Sequence, residues 1–554
     1  MEISAERFAN RASRAGFREL AVVLLGFCVS TAALMRQLAF HPGSVARIDN
    51  GDGQFSIWNV AWVAHALVVD PLHVFDANIF HPHRWTLAYS EPNLGEGALA
   101  LPIYWLTHNP YAAHNFVLLS SFVMSGTATY YLVRYLTADR RAAVVAAIGF
   151  AYCPFVFGHT PHIQLEMTAG LPLALLAFHR LADRPTIGRG LALGAVVGGQ
   201  TLFCAYYGVF AVLIVGYGAL VLATTRRLWT TMRYWMALLV AGAMALLIAA
   251  PLYVPYALLR RQTGFSRTLK DAESFSAIWQ MYFASAAYAH AWMLRLVGHR
   301  GEVLFPGFVT SLFGILGVVV GALDGRSRRR EAAILYSTLA VLAYIASLGP
   351  SGGLYSVLYA LIPPFTWLRA PSRLGLIVTL ALSTLAGIGI AATLQKFSRP
   401  LFLSTALVVI ALAELALPIR FPTVPPVEPA YRVLATLPRG PVIEMPVYSE
   451  KFAFVRAKYM LSSTAHWMPL VDAYSDYIPT DFTRKAPVLG EFPTYEAFKL
   501  LERDQVRYAV FHMDTYSPDM RRALESRLER FSPYLRQHYR DERTALYEII
   551  AFPP

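Results

Sequence analysis

Charged residues and cysteine are both scarce in this chain. Only 15% of its 554 residues are Asp, Glu, Lys or Arg, whereas 56% are apolar, and soluble domains ordinarily carry about a quarter of charged residues. This composition excludes a cytosolic globular enzyme. The three cysteines, Cys28, Cys153 and Cys204, lie inside apolar runs without a spaced partner. We therefore predict that they are packing residues, not part of a disulfide framework or a zinc site.

The common signatures of soluble enzymes are missing as well. The sequence has no Walker loop, no dinucleotide fingerprint after a strand and no Gly-x-Ser-x-Gly elbow. What it has instead are apolar runs of roughly 18 to 22 residues, the length that crosses a bilayer. They predict an α-helical polytopic membrane protein with about eleven transmembrane helices, at 20–40, 113–136, 141–157, 165–182, 190–205, 208–224, 235–257, 304–323, 332–349, 374–393 and 400–418.

The positive charges indicate the orientation in the membrane. Arg7, Arg11, Arg14 and Arg18 precede the first span, and the short connectors on the same predicted side are rich in Arg or Lys: 139–141, 183–189, 226–233, 324–331 and 395–399. The positive-inside rule then places the N-terminus in the cytosol. The same bias accounts for the net charge of +13, so we predict a membrane-lipid environment and no nucleic-acid partner.

We predict two domains. Residues 1–418 form a transmembrane module with outer loops 41–112, 258–303 and 350–373. Residues 419–554 form a small extracytoplasmic α/β domain, because charges return there and no run is long enough to span. Its β-type segments are 441–447, 507–514 and 544–550, and its helical patterns are 496–504 and 518–530.

The first outer segment carries several carboxylates. Asp49 and Asp52 lie in a turn-forming stretch, and the Gly-Asp-Gly around Asp52 suggests a backbone free to approach a ligand. The Trp58, Trp62, His65 pattern that follows is typical of a helix along the membrane interface. For Asp49, and for Asp76 and Glu96 further along the segment, a solvated turn is the ordinary alternative.

The residues of this segment resemble a known family. The pattern comprises Gly51-Asp52, Trp58, Ala61-Trp62, Pro71-Leu72, 75–80, Pro82 and 86–91, and it continues with Asn109-Pro110, His159, 162–164, 304–307, 368–373 and 442–446. It is similar to a broad group of bacterial multipass proteins placed in the GT-C superfamily, whose glycosyltransferases use polyprenyl-phosphate sugars. The chain departs from that group at Gly53, where the pattern has proline.

The resemblance implies a catalytic carboxylate early in the first outer segment. Asp52 is the first choice, Asp49 the second, and Glu91 a helper. Because a sugar phosphate already has a good leaving group, one carboxylate that accepts the proton of the acceptor hydroxyl is sufficient. A second carboxylate would bind a divalent cation, Mg or Mn, or orient sugar hydroxyls; no other cofactor is implied.

Positive charge on the outer side suits the departing phosphate. Arg260, Arg261, Arg369 and Arg373 lie there against the usual charge bias, and guanidinium binds phosphate through two parallel hydrogen bonds. For Arg260 and Arg261, contact with anionic lipid headgroups is an equal alternative.

A short outer turn between two spans is rich in histidine. His159, His162 and Gln164 are expected to line a sugar pocket. His159, His162 and Glu166 could also be read as metal ligands. Since this set has no fixed fourth ligand, hydrogen bonding within a polar cavity is the preferred interpretation.

The sequence thus predicts an inverting hexosyl- or pentosyltransferase in the bacterial inner membrane. It would move a sugar from a polyprenyl-phosphate donor to a glycan, lipid or protein acceptor on the extracytoplasmic face. The alternatives are a lipid-linked-sugar transporter, an assembly factor for envelope polysaccharide, or a scaffold whose tail binds a partner. A transporter would carry ionisable residues near the middle of the bilayer.

Overall fold

The computed structural model describes residues 2–264, 267–298, 301–325 and 327–554. Arg326, in the basic connector 324–331, lies outside these described residues. The described chain forms two compact units. Unit 1 contains the chain up to Phe40 together with Val117–Val254 and Arg260–Arg420, and unit 2 contains His41–Phe116, Pro255–Leu259 and Phe421–Pro554.

Most of the chain is helical. In chain order the helices are α1 Glu2–Leu34, α2 Arg36–Phe40, α3 Gly51–Val69, α4 Leu94–Thr107, α5 Pro110–Thr137, α6 Arg140–Ala151, α7 Pro154–Gly158, α8 Ile163–Glu166, α9 Gly170–Asp183, α10 Ile187–Phe203, α11 Ala205–Thr225, α12 Met232–Thr263, α13 Leu269–Glu273, α14 Ala291–Val297, α15 Phe308–Leu323, α16 Ser327–Ser347, α17 Leu354–Leu361, α18 Gly375–Lys396, α19 Pro400–Leu415, α20 Pro429–Leu434, α21 Ala457–Ser462, α22 Thr480–Leu489, α23 Tyr495–Arg503 and α24 Pro518–Arg530. The strands are β1 Val442–Met445, β2 Tyr508–His512, β3 Leu535–Arg540 and β4 Thr544–Ile549.

Apolar helices long enough to cross a membrane confirm the predicted helical membrane protein. Within the described residues there are six, Gly16–Leu34, Pro110–Thr137, Arg140–Gly158, Ala205–Thr225, Met232–Thr263 and Pro371–Lys396, together with two shorter apolar helices, Phe308–Leu323 and Pro400–Leu415. Every predicted span overlaps at least one helix, although several of them begin or end outside it. The count of eleven crossings nevertheless stays a prediction, because the other helices are shorter or less apolar.

Helix α18 belongs to the most buried of the six candidate membrane spans. In the span Pro371–Lys396, which includes α18, 94% of the most apolar stretch is buried inside the protein. The corresponding share is 17% for Gly16–Leu34 of α1. α18 packs against α15, α16 and α6. A Cβ on Gly317 would clash with the Leu385 carbonyl, so the backbones of α15 and α18 touch. Small residues permit such close approach in membrane bundles.

Unit 2 contains a four-stranded sheet with strand order β1-β2-β4-β3. Strands β1 and β2 are parallel, while β4 is antiparallel to both of its neighbours. Every residue of β1 and β2 is buried, which is typical of parallel strands covered on both faces. The predicted small C-terminal α/β region is therefore confirmed.

The first outer segment packs with this tail inside unit 2. Val45 forms an antiparallel bridge with Thr423, and Leu470 N–H donates to the Asn78 carbonyl at 2.9 Å. These main-chain bonds satisfy polar groups that the segment cannot satisfy alone. The predicted division at 418/419 placed residues 41–112 with the transmembrane module. In the structure, His41–Phe116 belong to the same compact unit as the tail.

Helix α3 is a buried helix of unit 2. Trp58 and Trp62 are 0% and 7% exposed, and Trp58 Nε1 donates to Asn78 Oδ1 at 3.1 Å. The ring of His65 stacks on Trp467 with centroids 4.7 Å apart. These aromatic side chains pack against protein, so the lipid-facing stripe expected of an interfacial helix is not found, and the position of α3 relative to the membrane stays a prediction.

Candidate functional site

Asp52 lies in the first turn of α3, in unit 2. Asn50 caps this helix, with its Oδ1 accepting from Gly53 N–H at 2.8 Å. Tyr474, from the tail, donates its hydroxyl to Asp52 Oδ1 at 2.8 Å. The carboxylate is partly exposed. The positive end of the helix dipole and the tyrosine hydroxyl both stabilise negative charge here, so the fold holds an oriented carboxylate.

Close packing accounts for the two glycines beside Asp52. A Cβ on Gly51 would lie 2.7 Å from the Phe454 carbonyl oxygen, and one on Gly53 would clash with the Arg47 carbonyl. The expectation that they free the backbone to approach a ligand is wrong, because the main chain of unit 2 fills those positions. The glycines instead fix the start of α3 and so position Asp52.

The other two predicted carboxylates have different surroundings. Asp49 forms a two-pronged ion pair with Arg47, with distances of 3.0 and 3.2 Å, and its side chain is 42% exposed. Glu91 is partly exposed, and its main-chain oxygen accepts from Asn59 Nδ2 at 2.9 Å. Their predicted roles, as second base and helper, stay predictions.

Glu96 is a carboxyl whose burial the sequence did not indicate. It is 0% exposed in the first turn of α4, so the expectation of a solvated turn is wrong for this residue. Among the described residues neither carboxylate oxygen has a hydrogen-bond partner, nor does Oδ1 of the buried Asn59 or Asn93. Burial raises the pKa of Glu96 well above its usual value, and the charge of Glu91 raises it further.

A basic cluster lies in unit 1, which we define as His159, His162, Tyr206, Glu302, Arg369 and Arg373. The Arg373 guanidinium stacks 4.4 Å from the Tyr206 ring centre, and the Arg369 N–H donates to the Tyr206 hydroxyl at 2.7 Å. Arg369 itself lies 5.2 Å from the ring centre of Phe275. Tyr206 therefore joins the two arginines that the sequence selected.

Glu302 joins the histidines to the arginines. His159 Nε2 lies 3.4 Å from Glu302 Oε2, and the His159 and His162 ring centres are 6.0 Å apart. Burial alone would raise the pKa of the Glu302 carboxyl, but His159, Arg373 and His162 together outweigh it and lower this pKa. The cluster thus combines two guanidinium groups and two imidazoles with one carboxylate.

The remaining predicted residues lie around this cluster or away from it. Gln164 is half-buried in α8. Arg260 Nη1 is 3.5 Å from Thr366 Oγ1, and both Arg260 and Arg261 are exposed. In the part of the chain that the structure describes, no group of three His, Cys, Asp or Glu side chains could hold a metal ion. This finding does not support His159, His162 and Glu166 as metal ligands, and a Mg or Mn ion elsewhere stays a prediction.

Sequence reasoning missed Glu302, Tyr206 and Tyr474. For Glu302 a signal existed, because it lies two residues before the 304–307 segment that carries the resemblance. Tyr206 was visible as a polar interruption of an apolar run. Tyr474 had no signal near Asp52, since 422 residues separate them in the chain.

Comparison with known proteins gave matches among solved structures only. No protein-family model and no curated protein matches the sequence. The chain is similar to the oligosaccharyltransferase of Archaeoglobus fulgidus in complex with Zn and sulfate, with 12% identity, a TM-score of 0.49, and coverage of 95% of this chain and 72% of that one. For the archaeal oligosaccharyltransferase AglB with an inhibitory peptide and a dolichol-phosphate, the identity is 12%, the TM-score 0.47 and the coverage 94% and 72%.

A third similar structure is ArnT from Cupriavidus metallidurans bound to undecaprenyl phosphate, with 13% identity, a TM-score of 0.48 and coverage of 98% and 100%. Because all three TM-scores are below 0.5, the activity is argued from the residues of the chain itself.

Proposed function

We propose that the chain is a membrane glycosyltransferase that takes a sugar from a polyprenyl-phosphate carrier and transfers it to an acceptor hydroxyl. The observation that carries this proposal is Arg373, whose buried Nε has no hydrogen-bond partner among the described residues. A buried donor without a partner costs about 1–3 kcal/mol. A phosphate oxygen would satisfy it through a charge-assisted hydrogen bond.

The basic cluster supplies the phosphate-binding groups in this proposal. Arg373 and Arg369 each present a guanidinium plane packed on an aromatic ring, which limits its rotation and preorganises its donors. Glu302 and His159 pair beside them. As the bond between sugar and phosphate breaks, the carrier phosphate gains negative charge, and these arginines stabilise it.

Asp52 is the proposed general base. In this proposal its carboxylate accepts the proton of the acceptor hydroxyl, whose oxygen attacks the anomeric carbon with inversion of configuration. Tyr474 orients the carboxylate through the hydrogen bond to Oδ1. Glu91 and Asp49 are secondary proposals. We place this chemistry on the extracytoplasmic face of the inner membrane, in line with the predicted charge bias.

A binding and turnover assay tests the proposed function. The purified full chain is incubated with labelled undecaprenyl-phosphate and dolichyl-phosphate sugars, and we expect specific binding of at least one of them, with slow hydrolysis when no acceptor is present. Binding of none would overturn the proposal. Movement of a lipid-linked sugar across reconstituted vesicles, without transfer, would favour the transport alternative.

Arg373→Gln is expected to raise the dissociation constant of the bound donor about tenfold to a hundredfold, the range of a lost charge-assisted hydrogen bond. Arg373→Lys should recover only part of this loss, because an ammonium keeps the charge but lacks the planar fork. Donor binding is measured by titration. Arg295→Gln, at an exposed arginine of the same unit, is the control, and an equal effect there would remove Arg373 from the binding site.

Tyr474→Phe is expected to lower kcat about tenfold, since it removes one hydrogen bond to a charged oxygen. The donor KM should stay within about twofold, because Tyr474 orients the base and does not hold the carrier. Steady-state kinetics measure kcat and the donor KM separately. Tyr534→Phe, at another tyrosine of unit 2, is the control. A change in KM alone would contradict the positioning role.

A further inference from the structure

Unit 1 contains a groove along the first helix, at the other end of the bundle from the basic cluster. Its cavity volume is about 840 Å³ and its walls come from α1, α5, α6 and α19. This volume falls within the range of about 300–1,000 Å³ typical of ligand sites. The walls are mostly apolar, with Val22, Gly26 and Phe27 on one side and Val144, Ile148 and Leu412 on the other.

The groove has the length of a lipid chain. Its lining on α1 runs from Arg18 to Ser30, which is about 18 Å at 1.5 Å per residue. The helix beside it is exposed, since Val22 and Leu25 are 70% and 64% exposed. Exposed apolar side chains on a membrane-spanning helix face the bilayer, so the groove is accessible from lipid.

One end of the groove carries an excess of positive charge. Glu19 accepts from the Tyr130 hydroxyl and from Arg140 Nη2, both at 2.6 Å, and Arg134 Nε lies 3.4 Å from Glu19 Oε1. Arg18 lines the same end. Three arginines thus lie at this end beside one carboxylate, and two of them, Arg134 and Arg140, pair with it. The tyrosine and the carboxylate hold the arginine side chains at the mouth of an apolar groove, where an anionic headgroup would lie.

This site is distinct from the basic cluster. Arg140 and Gly158 mark the two ends of one 19-residue membrane span, which is about 28 Å long at 1.5 Å per residue, and His159 follows directly after it. A single headgroup cannot reach both ends. The groove therefore takes a different molecule from the one bound by Arg373.

We propose that the groove binds an anionic phospholipid, with one acyl chain between α1 and α6 and the phosphate at Arg18 and Arg140. The apolar walls suit the acyl chain. The excess of guanidinium groups at one end favours an anionic over a zwitterionic headgroup. Bound in this way, the lipid fixes α1 against the bundle.

Native mass spectrometry of the full chain in a non-ionic detergent tests this proposal. The probes are dioleoylphosphatidylglycerol and dioleoylphosphatidylcholine, and we expect one phosphatidylglycerol to be retained in preference to phosphatidylcholine. A Cβ at Gly26 meets nothing within 4 Å, so the side chain of Gly26→Leu has room to begin at this position, which lines the groove. It should lower phosphatidylglycerol occupancy about tenfold, because the leucine takes the place of several methylene groups.

Gly242→Leu is the matched control. Gly242 also has nothing within 4 Å of its Cβ, lies on α12 and does not line the groove, so occupancy should equal that of the unmodified chain. Arg18→Gln should reduce the preference for phosphatidylglycerol over phosphatidylcholine. If Gly26→Leu fails to fold, Val144→Phe narrows the groove from α6.

Three results would overturn the proposal. The first is equal retention of the two phospholipids by the unmodified chain. The second is unchanged phosphatidylglycerol occupancy in Gly26→Leu or, where that variant does not fold, in Val144→Phe. The third is displacement of phosphatidylglycerol from this site by a polyprenyl phosphate, which would assign the groove to the carrier.

Discussion

Replacing Asp52 with asparagine is expected to lower the rate of sugar transfer about 1,000-fold, within the range that a general base contributes, while the chain stays folded. Asparagine has the same shape, and its amide oxygen can still accept the hydrogen bond that Tyr474 makes to Oδ1. What is lost is the ability to accept a proton. Transfer of a labelled sugar under single-turnover conditions measures the effect, and donor binding should change little.

Asp49→Asn is the matched comparison. Asp49 lies three residues away in the same segment, but its charge is already paired with Arg47 through two contacts. We expect this variant to keep its activity within about threefold, the usual scale for loss of a solvated ion pair. Full activity in Asp52→Asn would remove Asp52 from the mechanism, and a loss confined to Asp49→Asn would make Asp49 the base.

The regular elements of the tail could be predicted from local sequence. The segments 441–447, 507–514 and 544–550 correspond to β1, β2 and β4, and the patterns 496–504 and 518–530 correspond to α23 and α24. Strand β3, Leu-Arg-Gln-His-Tyr-Arg, was missed. It is an edge strand that pairs only with β4, and edge strands tolerate polar and basic residues that hide the alternation of a strand.

The candidate site could be predicted only in part, because its contacts join distant parts of the chain. His159, His162, Arg369 and Arg373 were selected from their type and outer position, and they do share one cluster in unit 1. The surroundings of Asp52 were not predictable in this way. Burial of Trp58 and the contact with Tyr474 both depend on the tail folding onto the first outer segment.

The tail also contains a buried set of ionisable groups that no local pattern indicated. Asp472 and Arg456 are each 1% exposed, with Arg456 Nε 3.9 Å from Asp472 Oδ2. Glu444 and His512 are similarly buried and are hydrogen-bonded at 2.9 Å. Arg456 Nη1 donates to the Ala473 carbonyl at 3.2 Å. This contact holds the segment that carries Tyr474, so the buried set supports the orientation of Asp52.

The stability of unit 2 should therefore depend on pH through Asp472. Burial raises the pKa of this carboxyl from 3.8 to about 7, although Arg456 opposes the rise. Between these two values the folded chain keeps a proton that the unfolded chain has released, so stability falls as pH rises from about 4 to about 7 and changes no further above that. A pKa shift of this size corresponds to a change of about 4 kcal/mol in the free energy of unfolding.

Asp472→Asn should flatten this dependence, because the amide does not titrate. Above about pH 7, where Asp472 is ionised, the variant's Tm should also be lower because Arg456 loses a charged partner, so the slope of Tm against pH is the readout. Thermal unfolding of the full chain in detergent between pH 5 and pH 8, followed by intrinsic fluorescence, measures it. Asp519→Asn, at a side chain that is 87% exposed, should keep the unmodified slope. Parallel profiles of Tm against pH for the unmodified chain and Asp472→Asn would contradict this prediction. They would show that Asp472 is already ionised in the folded protein and that Arg456 fully compensates the burial of the carboxyl.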